Sequence, residues 1–303
     1  QTGVPQNIFM LEYCHQAAVI EMGTNHFGEI DSLAKMVKPD ICLLTNIGQC
    51  HIEFLGSRDG ILKAKTEMLP HMKKGGRVVV NGDDDKLCTL KSQRSDVITF
   101  GIESDCDIKA QNIVDKGLDG SEFTVDGEKY TVPSPGRHMI YNALACIAVG
   151  RLFCMTPAQI KEGLINYKPI SGRMNIVHTG KITILDDVYN ANPNSMRSAL
   201  DVLAYAKGRK IAVLGDMFEL GEKEGEYHRS VGEYAKYKAD IVLCVGALSE
   251  NTAKGAEDKG VHFATQEQLI AALPNIIKEG DSIVVKASHG MHLENTVEAL
   301  KNL

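Results

Sequence analysis

A chain of 303 residues that is 44% hydrophobic can bury substantial cores, and the usual size of a domain makes two domains the natural division. A formal net charge of -6, with the 33 Lys and Arg residues dispersed along the chain, leaves no basic footprint for nucleic acid. No apolar run reaches the roughly 18 to 20 residues that span a bilayer, and residues 1–10 lack a signal-peptide pattern, so no membrane partner is expected either.

In chain order, short apolar runs come first: Ala18-Val19-Ile20, Ile41-Cys42-Leu43-Leu44, Arg77-Val78-Val79-Val80 and Val97-Ile98-Thr99-Phe100. Runs this short, β-branched and nearly continuous suit parallel strands buried on both faces. Residues 30–37 and 60–72 between them carry helical spacing, which gives an α/β pattern. From 107 to 132 the pattern changes to alternating strands broken by Gly117, Gly120 and Gly127, read as antiparallel hairpins that Pro133-Ser134-Pro135-Gly136 ends. A helix is expected over 142–153, and a second after the N-cap Thr156 with Pro157 in its first turn. A fresh α/β series then starts, with strands at 182–185, 211–214, 241–245 and 282–285. The boundary falls near Gly172, giving domains 1–172 and 173–303. The eight cysteines show no C-x-x-C spacing and lie mostly in apolar surroundings, so they are expected as reduced, buried core thiols in a cytoplasm.

Three polar clusters fall where an open α/β sheet binds ligands, past its strand ends. They are Glu21-Met22-Gly23-Thr24-Asn25-His26, then Thr45-Asn46-Ile47-Gly48-Gln49-Cys50-His51-Ile52-Glu53, then Lys63-Ala64-Lys65-Thr66-Glu67. A carboxylate and an imidazole at adjacent strand ends suit a shared divalent cation. The same pair also suits a loop cap at Glu21 and a hydrogen bond from His51 to a backbone carbonyl. Either lysine is equally readable as a solvated helix charge.

These strings, with Gly28-Glu29-Ile30 and Gly56-Ser57, resemble the central-domain motifs of the Mur ligase family. The resemblance implies that Glu21 and His51 bind magnesium and that Lys65, favoured over Lys63 by its spacing to Glu67, is carbamylated by carbon dioxide into a further metal ligand. It also implies catalytic roles for Lys65, His51 and Arg173. Gly136-Arg137-His138 followed by Tyr141-Asn142-Ala143-Leu144-Ala145 is similar to the family's adenine-contacting segment, which assigns ATP binding to Asn142. Here Met139-Ile140 replaces the usual Asn-Val, and on capping preference alone Asn142 begins a helix. Gly172-Arg173 resembles the family linker whose Arg reaches the terminal phosphate, where a fixed fork of donors suits phosphoryl oxygens.

Asp186-Asp187-Val188-Tyr189-Asn190-Ala191-Asn192-Pro193 is the most specific string. It is similar to a motif of the branch of the family that adds D-alanyl-D-alanine, which implies nucleotide contacts at Asp187, Tyr189 and Asn190 and a substrate contact at Asn192. Without the resemblance, Asn192-Pro193-Asn194-Ser195 reads as a turn and helix cap. Gly215-Asp216-Met217 with Glu219-Leu220-Gly221 and His228, and Lys286-Ala287-Ser288-His289-Gly290, match the same branch. Its usual Lys-Gly-Ser-Arg-Gly is altered here, and Lys286 and Ser288 are expected to meet the dipeptide carboxylate. Lys286 as a surface residue at a strand end is the plainer alternative.

The fold so implied is α/β: part of a Mur ligase central ATPase domain, mostly parallel with a small antiparallel part, then a Rossmann-like C-terminal domain. The implied activity is an ATP- and magnesium-dependent amide ligase of peptidoglycan precursor synthesis, acting through an acyl phosphate as a cytoplasmic monomer. Its substrates would be UDP-N-acetylmuramoyl-tripeptide and D-alanyl-D-alanine. Another Mur ligase, a folylpolyglutamate synthase-like ligase, or a non-catalytic nucleotide-binding module share parts of this pattern. A dinucleotide oxidoreductase is disfavoured because no G-x-G-x-x-G follows a strand. The phosphate loop G-x-x-x-x-G-K-[ST] occurs nowhere, since Gly180-Lys181 is followed by Ile182 and preceded at the required spot by Asn175. That loop and a UDP-sugar domain are expected upstream of Gln1, and the chain as written is expected to be a poor catalyst.

Overall fold

The computed structural model of the protein describes residues 2–303. The chain divides into two compact units, each interrupted in sequence. The first takes the residues up to Ile113 with Phe123–Tyr130 and Ile140–Glu162, and the second takes Val114–Glu122, Thr131–Met139 and Gly163–Leu303.

The first unit holds a four-stranded sheet of β1 (Ile41–Leu44), β2 (Arg77–Asn81), β3 (Val97–Gly101) and β4 (Ile108–Lys109), in that order and parallel throughout. Val78, Val79 and Val80 are each 0% exposed, so β2 is covered on both faces, as its unbroken apolar run requires. Cys42, Leu44, Val78 and Val80 pack with Ile61 and Ala64 of the helix Arg58–Thr66. Each such buried aliphatic side chain contributes roughly 1.5–3 kcal/mol. Residues 111–132 form a separate three-stranded sheet, β5 (Gln111–Asp115), β6 (Ser121–Val125) and β7 (Glu128–Val132). Asp126 and Gly127, at φ 50° and 82°, make the two-residue turn from β6 to β7. Positive φ at both positions is the type I′ geometry that Asp-Gly favours in hairpins.

Several expectations for this half need correction. Ala18-Val19-Ile20 forms no strand: β1 pairs only with β2 among the described residues, and Val19 is 93% exposed. An apolar run becomes a strand only where a neighbouring edge accepts its hydrogen bonds. The helix expected over 60–72 runs over Arg58–Thr66 and gives way to a 3-10 turn at Leu69–His71, because Pro70 has no N–H and restricts the residue before it. Ile108–Lys109, assigned to the hairpins, instead extends the parallel sheet beside β3. The helix expected from Asn142 begins directly after Gly136, at Arg137, so Asn142 is not its cap.

The second unit holds a six-stranded sheet in the order β12-β11-β10-β13-β9-β8. Its strands are β8 (Asn175–His178), β9 (Thr183–Asp186), β10 (Lys210–Gly215), β11 (Ile241–Val245), β12 (Gly260–Phe263) and β13 (Ser282–Lys286). All pair in parallel except β8, which is antiparallel to β9. Alternate residues feed two cores. Ala212, Leu214, Val242 and Val284 face Met196, Leu200 and Val231 from the helices Pro193–Tyr205 and Glu224–Ala235. Ile211, Val213, Leu243 and Val285 face Leu269, Leu273, Val297 and Leu300 from Gln266–Ile276 and Glu294–Lys301. This is a doubly wound Rossmann-like sheet. Its strand order reverses at β10, so the loops after β9, β10 and β13 meet where such sheets bind ligands.

The expected strands of this half are present, with β8 and β12 added at the two edges. The expectation of buried cysteines fails for most of them. All eight thiols are free, but only Cys42 and Cys244 are buried, while Cys14, Cys88, Cys146 and Cys154 are exposed. Apolar neighbours along the chain do not fix which side of an element a thiol occupies. No helix among the described residues is long and apolar enough to cross a membrane.

Candidate functional site

In the first unit, Glu21, Thr45, Cys50, His51 and Lys65 line one groove beside the end of β1. The loop after β1 is gripped at Ile47 from two sides. The Ile47 N–H donates to Asp84 Oδ2 at 2.8 Å, and its carbonyl accepts from Arg58 Nε at 2.8 Å. Arg58 is itself fixed by a fork onto Asp85, with Nη1 at 2.9 Å from Oδ2. Asp84 uses its other oxygen on the N–H groups of Lys86 and Leu87, both at 3.0 Å. His51 follows at φ 59°, half-buried, and opens the short helix Ile52–Leu55.

Lys65 is half-buried on the helix Arg58–Thr66, and its Nζ donates to the Asn46 carbonyl at 3.1 Å. Burial lowers its pKa below the ordinary lysine value, against weaker opposing effects of Cys50 and Asp84. Glu67 turns elsewhere: both its oxygens accept from Gly28 N at 2.9 Å, capping the positive end of the helix Glu29–Val37. The Lys-x-Glu string therefore splits between the groove and the frame. Among the described residues, no three His, Cys, Asp or Glu side chains form a ready metal cluster.

Asn142 is exposed on the second turn of the helix Arg137–Leu152. Its neighbour Tyr141 donates its hydroxyl to Asp83 Oδ2 at 2.9 Å. Asp83 also collects the N–H groups of Ile102, Glu103 and Ser104 at 2.6, 2.9 and 2.7 Å. Burial pushes its carboxyl up, but these donors outweigh it and hold the group well below the usual range. Gly82 and Gly101 leave room there, since a Cβ on either would lie 2.5 or 2.7 Å from Cys106 Sγ. The sequence reading passed over Asp83, Asp84 and Arg58. The available signal was the run of turn formers Asn81-Gly82-Asp83-Asp84-Asp85 directly after a strand.

In the second unit, the ends of β9 and β13 are knotted together by Lys286. Its Nζ lies 2.6 Å from Asp187 Oδ2 and 2.8 Å from the Asn190 carbonyl, with its side chain 3% exposed. The reading of Lys286 as a surface residue is thus overturned. Asn190 bends its own loop through Oδ1, which accepts from Ala191 N at 2.8 Å. Asn192 caps the helix Pro193–Tyr205 in a capping box with Ser195, with Pro193 in the first turn. Tyr189 is 48% exposed, and the guanidinium of the exposed Arg173 lies 3.8 Å from its ring centre. His289 approaches the same ring at 5.8 Å.

Ser288 is buried and accepts from Phe218 N at 2.9 Å, while its own N–H donates to the Asp216 carbonyl at 3.0 Å. Asp216 Oδ1 accepts from both the N–H and hydroxyl of Ser249, at 2.7 and 2.6 Å, so it ties the loops after β10, β11 and β13. His228, 0% exposed, accepts from Met217 N at Nε2 (2.9 Å) and donates from Nδ1 to the Glu224 carbonyl (2.7 Å). Burial lowers its pKa, so it is a neutral brace for the loop after β10.

Parallel sheets with carboxylates, cations and helix caps gathered on their strand-end loops define a nucleotide-using α/β enzyme. The chain belongs to the Mur ligase family: the Mur ligase middle domain matches residues 1–150 and the Mur ligase, glutamate ligase domain matches 172–289. It is 34% identical to the UDP-N-acetylmuramoyl-tripeptide--D-alanyl-D-alanine ligase of Bacillus subtilis, over 98% of this chain and 67% of that protein. Its identity to the ligase of the same name from Escherichia coli is 36%, over 99% and 68%. The MurF crystal structure from Acinetobacter baumannii superposes with a TM-score of 0.93 at 31% identity, covering 99% of this chain and 68% of that one. The Thermotoga maritima MurF ligase, solved in complex with ADP, gives 0.79 at 28% identity, over 91% and 65%. The chain thus spans about two thirds of the length of these relatives.

Proposed function

We propose that this chain carries the nucleotide- and dipeptide-binding parts of an ATP-dependent ligase that joins D-alanyl-D-alanine to UDP-N-acetylmuramoyl-tripeptide. The observation that carries this reading is the Lys286–Asp187–Asn190 knot, which fixes the most specific string of the sequence at the ligand-binding end of the second sheet. In the reaction, the tripeptide's terminal carboxylate attacks the γ-phosphorus of ATP, giving an acyl phosphate and ADP. The amine of D-alanyl-D-alanine then attacks the acyl carbon and phosphate leaves, forming the amide.

Arg173, exposed and stacked on Tyr189, offers a planar fork of donors to the transferring phosphoryl oxygens. The family motifs assign Asn142 to the adenine edge, and Asp187, Tyr189 and Asn190 to further nucleotide contacts. Lys286 at the end of β13, Ser288 just past it and Asn192 at the cap of the helix Pro193–Tyr205 are the candidates for the dipeptide. Lys286 spends its donors on Asp187 and Asn190 in this conformation, so its part is to shape that loop and supply its charge.

The donor set of the groove suits magnesium in one form of Lys65 only. An amine held below its ordinary pKa by burial is available to add carbon dioxide, and the resulting carbamate is a hard oxygen ligand beside Glu21 and His51. When bound there, the ion supplies positive charge that lowers the repulsion between ATP and the substrate carboxylate. A domain boundary near residue 172 is supported by the start of the second family segment there, and a cytoplasmic enzyme is part of the same proposal. Phosphate release by the full-length protein is the test. It should require ATP, UDP-N-acetylmuramoyl-tripeptide and D-alanyl-D-alanine together, and release indifferent to either acceptor would sink the assignment.

A further inference from the structure

Two consecutive carboxylates hold the backbone on either side of Arg173. Gly172 N donates to Asp186 Oδ2 at 3.2 Å, and Met174 N donates to Asp187 Oδ1 at 3.0 Å. Gly172 returns a bond through its carbonyl, which accepts from Tyr189 N at 2.9 Å, and Arg173 N donates to the Ile170 carbonyl at 3.0 Å. Segment 172–174 is thereby pinned along segment 186–189, and the Arg173 guanidinium comes to rest over Tyr189. Gly172 sits at φ 76°, a backbone conformation that residues with a side chain rarely adopt, so the turn that leads into Arg173 favours glycine.

The two carboxylates differ in what else they do. Asp187 is paired with Lys286 and shares its charge. Asp186 is 5% exposed, and among the described residues its Oδ1 has no hydrogen-bond partner. Burial pushes its carboxyl above the ordinary range, against the N–H groups of Gly172 and Val188. A buried carboxyl with an idle oxygen is a costly way to end a strand that an apolar residue would end more cheaply. Its remaining contacts are the backbone N–H groups, and the one at Gly172 orients Arg173.

We infer that Asp186 is a positioning residue for Arg173, acting as a hydrogen-bond acceptor that sets the direction from which the guanidinium reaches the phosphoryl group. The inference rests on the proposed phosphate contact of Arg173. It requires an acceptor at Asp186, not a charge, so Asp186→Asn keeps the function through its amide oxygen and Asp186→Leu loses it.

The experiment measures kcat and KM for the full-length protein and its Asp186→Asn, Asp186→Leu, Arg173→Ala and Asp186→Leu/Arg173→Ala variants, with thermal unfolding to verify folding. Asp186→Leu should lower kcat by about 10²-fold, the cost of displacing a catalytic group by about 1 Å, with KM for D-alanyl-D-alanine unchanged. Asp186→Asn should stay close to the parent, and the double variant should be no slower than Arg173→Ala. If Asp186→Leu does not fold, Asp186→Ala takes its place. Losses that multiply in the double variant, or an Asp186→Asn as slow as Asp186→Leu, would overturn the inference. An Arg173→Ala variant with full kcat would instead overturn the role of Arg173 itself.

Discussion

Replacing His228 with leucine isolates a brace that holds the loop after β10. The histidine is fully buried, with Nε2 accepting from Met217 N and Nδ1 donating to the Glu224 carbonyl. Leucine fills a similar volume but accepts no hydrogen bond, so the Met217 N–H is stranded in the core at a cost of about 1–3 kcal/mol. At about 2–4 °C per kcal/mol for a unit of this size, the melting temperature should fall by about 2–12 °C at pH 7.5. The loss should also depend on pH. The unfolded chain binds a proton at His228 near its ordinary value of 6.5, whereas burial lowers the native value. The stability supplied by the neutral ring is therefore whole above pH 6.5 and declines as pH falls below it toward the native pKa. Calorimetry at pH 7.5 and 5.5 should show the gap between parent and variant narrowing on acidification, with all other titrations common to both. A gap of the same size at both pH values, or no gap at pH 7.5, would show that the ring is not a neutral acceptor.

Gly246→Ala should destabilise strongly, because at φ 112° the new Cβ would lie 2.6 Å from the carboxylate of Asp216. The backbone strain alone costs about 1–2 kcal/mol, and an unchanged melting temperature would contradict the packing described. Lys286→Met leaves the largely buried Asp187 carboxylate unpaired and should cost about 3–5 kcal/mol in denaturant unfolding. Adding Asp187→Asn should recover part of that loss, and strictly additive losses would argue against the pair. In carbon-13-labelled bicarbonate, the protein should show a carbamate resonance that Lys65→Ala abolishes, and an identical spectrum for the two would rule out modification of Lys65.

The strands most legible in the sequence were those buried on both faces, such as Val78-Val79-Val80 and Ile241–Val245, because nothing polar interrupts them. Asn175–His178 and Gly260–Phe263 escaped notice because edge strands are half exposed and mix His with apolar residues. Ala18-Val19-Ile20 misled for the opposite reason: composition reports a preference for extended backbone but says nothing of a partner edge. Of the site, the side chains with distinctive chemistry at motif spacing, Glu21, His51 and Lys65, were legible as strings, and the structure lines them along one groove. Their supports were not. Asp84 grips Ile47 across 37 residues, a separation at which only the folded sheet creates a neighbourhood.

In the second sheet, β13 follows β12 in sequence, yet it lies between β9 and β10 and brings Lys286 and Ser288 with it. Until it arrives, β9 and β10 have no direct ladder to each other, and each offers a bare edge. A growing polypeptide therefore holds this half open until residues 282–286 have been added. Without β13 the sheet loses the keystone of its arch rather than an outer course.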